Sequence, residues 1–196
     1  MSDAIWGLTG LVGGFIVSVA WWYLLTHRLT PAVRFGEQIS VLEGPGGTPR
    51  YRIKILNTHR KRRVIDCSVY AALRFPGVRM YDQAPENLNS VKLDLSEDYI
   101  VQIAPGNSRV IRVEAQTSIA DAFARGSLIL ERLYPVCEQR GYLSLADILM
   151  RSEGAYVVVR ILCFDEWSGS RKYFESPRYT KSDLAYGPFK GLTVVQ

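Results

Sequence analysis

The stretch HRKRRVIDCSVYAALRF, from His59 to Phe75, opens on four consecutive cations and runs without a break into alternating apolar residues. Ile65, Cys67, Val69, Ala71 and Leu73 alternate with Asp66, Ser68, Tyr70 and Arg74, the period of two that a half-buried strand requires. The segment just before it, RYRIKIL (50–56), has the same period: Tyr51, Ile53 and Ile55 face one way and Arg50, Arg52 and Lys54 the other. Arg60, Lys61, Arg62 and Arg63 then form a basic tip from which the second strand returns. The pattern predicts a sheet, and the tip is its most charged feature.

Working outward, ISVLE is separated from RYRIKIL by Gly44-Pro45-Gly46-Gly47, which is hairpin chemistry. Further strands are expected at YIVQIA, RVIRVEA, AYVVVRILCF and RKYFE, with turn signals at Pro105-Gly106-Asn107 and Trp167-Ser168-Gly169-Ser170 between pairs. Many short strands with few helices predict an all-β sandwich. Between Thr117 and Gly154, SIADAFA and SLADILMR each begin with a serine in capping position and carry apolar residues at helical spacing, so short inserted helices are expected there. Pro135 and Gly141 interrupt anything longer. The chain of 196 residues is 47% hydrophobic, enough to bury a core and too apolar for a disordered polymer. Cys67, Cys137 and Cys163 are scattered, odd in number and without metal-ligand spacing, which suggests reduced thiols in a cytosolic compartment. Cys67 and Cys163 fall on apolar strand faces and read as small core residues.

The segment from Ile5 to Leu25 carries no charge. At 1.5 Å per helical residue it matches a hydrocarbon core of about 30 Å, and it is read as one transmembrane helix. Trp21, Trp22 and Tyr23 form an aromatic belt at one end, followed by His27 and Arg28, while the other end offers only Asp3. Positive charge after the span places the following domain in the cytosol and the N-terminus outside. Ser18-Val19-Ala20 resembles a signal-peptidase site, the rival reading, but a basic n-region is missing. Gly10, Gly14 and Ser18 recur every four residues and would let a second backbone approach, a self-association face; glycine is also simply common in membrane helices.

Charge is unevenly distributed: residues 1–49 sum to −1, residues 50–63 to +7 and residues 64–196 to −1. The excess is local and suits phosphate-bearing partners, with Arg28 and Arg34 nearer the span. Anionic lipid head groups, or acids of a neighbouring subunit, fit such a tip. A solvated tip that protects sheet edges fits equally, whereas nucleic acid is disfavoured because no regularly spaced stacking aromatics accompany the charges. Catalysis finds little footing. His27 and His59 sit at the membrane interface and in the basic tip, away from any nucleophile motif. Gly44–Gly47 lacks the helix and Lys-Ser/Thr of a phosphate cradle, and Asp165-Glu166 read as solvated turn acids. No cofactor and no metal site is expected.

The order of these pieces resembles the cytoplasmic domain of inward-rectifier potassium channels. There a pore helix precedes an immunoglobulin-like β-sandwich, and a basic turn leads into a strand of the form hydrophobic-acid-x-x-V-x-A-x-L, matched by Arg60, Lys61, Ile65, Asp66, Val69, Ala71 and Leu73. The family's late pattern is similar to Ser168-Gly169, Tyr179-Thr180, Asp183-Leu184, Tyr186-Gly187 and Phe189. The pore module and its selectivity filter are absent from this sequence, so a potassium-selective pore is not expected. The resemblance implies residues 1–4 outside the membrane, a helix over 5–25, a linker over 26–33, a cytoplasmic immunoglobulin-like sandwich over 34–191 and a tail over 192–196. It implies a homo-oligomer, a tetramer in that family, and a regulatory or binding module that answers to membrane lipid, a small ligand or a protein partner. The competing expectation is an oligomeric, poorly selective ion-conducting pore lined by the glycine-bearing helix.

Overall fold

In the computed structural model, residues 2–24, 30–76, 88–124 and 144–195 are described. Helix α1 (Ser2–Tyr23) is followed by strands β1 (Val33–Phe35), β2 (Ile39–Glu43), β3 (Pro49–Asn57), β4 (Val64–Pro76), β5 (Leu88–Leu93), β6 (Tyr99–Ile103) and β7 (Ser108–Val113). Helices α2 (Ala115–Ala124) and α3 (Leu145–Arg151) come next, then β8 (Tyr156–Asp165), β9 (Arg171–Glu175), β10 (Leu184–Tyr186), β11 (Phe189–Lys190) and β12 (Thr193–Val194). The chain is mostly β-sheet with a few helices, an all-β sandwich.

In one sheet β3 pairs with β7 on one side and with both β1 and β2 on the other, and β10 joins β2 in parallel. In the other, β4 is central, flanked by β8 and then β9, with β5 and β6 sharing its opposite edge. Between the sheets lies one apolar core, to which Ile39, Val41, Tyr51, Ile53 and Ile55 contribute from the first and Cys67, Val69, Ala71, Leu73, Val157, Val159, Ile161 and Cys163 from the second. The hairpin at Gly44–Gly47 forms as expected: Gly46 and Gly47 take φ of 72° and 75°, which only residues lacking a Cβ adopt without strain. Tyr179, wholly buried, donates its hydroxyl to Gly36 O and so ties the late segment to the β1–β2 turn.

Several expectations are corrected. β3 and β4 do not form a hairpin: they lie in different sheets, and the basic segment is a crossover between them. Pro105-Gly106-Asn107 likewise carries the chain from β6 in one sheet to β7 in the other, while Trp167–Ser170 does close the β8–β9 hairpin. Ile65 leaves the core face, because a bulge between Ile65 and Ser68, with Asp66 at φ 48°, resets the alternation so that Val64 and Cys67 point inward. Ser118 is not a cap. It lies within α2, where its hydroxyl donates to Asp94 Oδ2 and Glu114 O. Ser144 does cap α3, in a reciprocal box with Asp147. Pro135, Cys137 and Gly141 lie outside the described residues.

Among the described residues no helix is long and apolar enough to cross a membrane. Every described side chain of α1 is exposed, including Leu11, Phe15, Ile16, Val17, Trp21 and Trp22.

Candidate functional site

β1 runs antiparallel to the end of β3, with Val33 opposite Asn57, so the chain reaches the sandwich at the same pole where the basic crossover begins. The contact is direct: Ala32 O accepts hydrogen bonds from Thr58 N (2.8 Å) and Thr58 Oγ1 (3.1 Å). The β6–β7 and β8–β9 connections end at this pole too. Asn57 N donates to Asn107 O and Gly106 N to Asn57 O, while Glu166 N donates to Arg63 O.

Asn57, fully buried, holds the pole together. Its Nδ2 donates to Arg62 O (2.8 Å) and Ile103 O (3.0 Å), and its Oδ1 accepts from His59 N (3.0 Å). A buried amide whose donors and acceptor are engaged in this way offsets its desolvation, and it joins the basic crossover to the β6–β7 connection. His59 then shapes the crossover: Nδ1 accepts from the backbone N–H of Lys61 and of Arg62, each at 3.2 Å. The imidazole thus serves as a loop staple.

The four cations divide into two kinds. Arg62 turns inward, its guanidinium carbon 5.0 Å from the Trp167 ring centre and Nη1 3.8 Å from Asp165 Oδ2. Asp165 is 1% exposed, contrary to the expectation of a solvated turn acid, because its Oδ1 receives Trp167 N, Ser168 N and Ser168 Oγ. Among the described residues the remaining oxygen and Arg62 Nη1 have no hydrogen-bond partner, and they face each other at 3.8 Å. Arg63 pairs with Glu166 at 3.5 Å, both half exposed, a contact worth at most about 1 kcal/mol. Arg60 and Lys61 are exposed, and neither has an ion-pair partner among the described residues. A shallow recess of about 340 Å³ is lined by Lys61, Arg62, Glu166 and Trp167.

Of the other residues singled out in the sequence, Arg34 is exposed on β1 near this pole, and Arg28 lies outside the described residues. Gly10 and Gly14 face open space, where an added methyl group meets nothing within 4 Å, and Ser18 Oγ donates to Gly14 O at 2.8 Å within the helix. The structure thus brings Arg34 and Arg60–Arg63 to one pole. Asn57 and Trp167 are the residues the sequence reading passed over. A lone asparagine closing an apolar strand before a cationic run was the available signal for the first. Nothing in composition marked the second.

Cys163 lies beside Cys67, and that hydrogen bond together with burial pushes its thiol far above the usual range. Among the described residues no group of three or more His, Cys, Asp or Glu side chains is placed to hold a metal. Comparison with protein-family models gives no match, and comparison with curated proteins gives none either.

Proposed function

We propose that this chain is a membrane-anchored regulatory or binding module. A single span at Ile5–Leu25 tethers a cytoplasmic, immunoglobulin-like sandwich of the inward-rectifier type, and its role is binding rather than catalysis. The observation that carries the reading is the pair of hydrogen bonds from Thr58 to Ala32, because they fix the basic crossover at the pole where the chain arrives from α1. From Leu24 to Ala32 the linker is about eight residues and reaches at most roughly 28 Å, so Arg34, Arg60 and Lys61 stay near whatever surface holds the helix. Arg28, Arg34 and the basic crossover then face anionic head groups, each charge contributing about 1 kcal/mol within a Debye length of the membrane.

The exposed apolar surface of α1 supports the anchor, since contiguous patches of that kind mark lipid or protein contacts. Its open glycine face, with the resemblance in sequence, supports self-association into a ring of subunits through helix and sandwich. The module's output is movement or recruitment triggered by lipid, a small ligand or a protein partner. The test is alkaline carbonate extraction of native membranes, followed by light scattering of the full chain in detergent. Retention in the pellet and a mass of several subunits are expected. Release by carbonate overturns the anchor, and a monomer in detergent overturns the self-association.

A further inference from the structure

Trp167 is the residue at the basic pole that the module's lipid contact, as argued from charge, does not use. It lies in the β8–β9 turn, is 75% exposed, and is the only tryptophan in the sandwich. Exposure of so large a ring is costly in water, and a turn normally closes with small polar residues such as the neighbouring Ser168, Gly169 and Ser170. The ring is held in place: Arg62 stacks on it at 5.0 Å, and Asp165 Oδ1 receives its backbone N–H and that of Ser168. Exposure is therefore a built feature of this turn.

Two further observations say what covers it. The recess beside Trp167 is lined by Lys61, Arg62 and Glu166, and Glu166 is paired with Arg63 while Arg60 and Lys61 lack acidic partners among the described residues, so cations are in excess around the ring. The Thr58–Ala32 hydrogen bonds place this surface where the chain enters the sandwich, about eight residues after Leu24 and so within reach of the bilayer that the proposed anchor would occupy. Tryptophan favours the head-group region, where its ring meets acyl chains and its indole N–H meets water, and cations beside it meet lipid phosphates.

We propose that Trp167 is an interfacial anchor: the β8–β9 turn seats its indole in the head-group layer of an anionic bilayer, with Arg60 and Lys61 on the phosphates beside it. This inference rests on the membrane-anchored reading and adds a second, separable point of attachment. A turn held at two points, by Arg62 from within and by lipid from without, would pass the state of the surface to β8 and β9.

The test uses the full chain in vesicles of phosphatidylcholine with phosphatidylglycerol, prepared with brominated acyl chains that quench tryptophan on contact. One variant carries Trp6→Phe, Trp21→Phe and Trp22→Phe and reports Trp167 alone. Its counterpart, Trp167→Phe, reports the helix. Strong quenching and a shift to shorter wavelength for Trp167, both lost on Arg60→Glu with Lys61→Glu or in pure phosphatidylcholine, are expected. If Trp167 is unquenched while the helix tryptophans are quenched, the inference fails and the anchor stands. If Trp167 quenches equally in uncharged vesicles and with both charge reversals, the proposed pairing of ring and cations is overturned. If neither variant is quenched, the membrane anchor itself fails and takes the inference with it.

Discussion

Arg62 and Asp165 form the contact on which the pole's charge balance depends. Asp165 is buried and Arg62 mostly so, and removing one partner leaves the other desolvated, which in a fully buried pair costs about 3–5 kcal/mol. Arg62 is 20% exposed and the pair is 3.8 Å apart, so a discounted loss of about 2 kcal/mol is expected for Arg62→Gln. Asp165→Asn keeps an oxygen for the turn, and in the Arg62→Gln background it should restore most of that loss. A double-mutant cycle by urea denaturation measures the coupling. Tyr179 sets a pH limit of a different kind. Burial pushes its phenol well above the ordinary value of 10.0, so above pH 10 the folded state retains a proton that the unfolded state has lost. Stability is therefore full below pH 10 and falls as pH rises through it, by about 1.4 kcal/mol per pH unit for this one group. Tyr51, raised by the same cause, adds to the slope. Denaturation midpoints between pH 8 and 11 should show this decline, and Tyr179→Phe should flatten it at the cost of the hydrogen bond to Gly36.

Strand β4 shows what a period of two can and cannot convey. Val69, Ala71 and Leu73 were legible as core because β4 is regular there and one face is buried. The same was true of Tyr51, Ile53 and Ile55 on β3. Ile65 was not, because a bulge adds one residue without altering the composition around it. The expected consequence lies at Asp66, whose φ of 48° strains any side chain that cannot hydrogen-bond locally. Asp66→Gly should be tolerated within about 1 kcal/mol, whereas Asp66→Val should cost about 1–2 kcal/mol, read from thermal denaturation of both variants. The connections were illegible for a related reason. Pro105-Gly106-Asn107 has the chemistry of a tight turn, which serves equally to join neighbours in one sheet or to cross between two. Only the partners of Asn57 distinguish the cases, and they lie 46 residues away at Ile103 as well as five away at Arg62. Of the candidate site, the cations could be read directly, but their division into an inward-turned arginine, one paired with Glu166 and two without an ion-pair partner among the described residues depends on the end of β8 and its turn, far along the chain. Ser144 was recognisable as a cap because what it caps is local, although its reciprocal partner Asp147 was not read; Ser118 was misread because its acceptor Asp94 is distant in sequence.

At the scale of the molecule, the sandwich is closed by its last strands. β10 lies parallel to β2, Leu184 opposite Ile39 and Tyr186 opposite Val41, and Gly187 O receives Ser40 Oγ at 2.6 Å. Ending the chain after Thr180 should therefore unfasten an early strand: amide exchange at β2 is expected to rise with that of the late segment it has lost, while β4 and β8, paired with each other along most of their length, stay protected longer. Exchange measured by mass spectrometry on the full and shortened chains checks the order. The same pairing sets a clock during synthesis. Gly36 must wait for Tyr179, 143 residues later, and a ribosome adding about 5–20 residues per second needs roughly 7–30 s to supply it. Through that interval the apolar face of β2 has no finished partner although α1 has long since left the exit tunnel, so in the cell the helix is free to find its surroundings before the sandwich is complete.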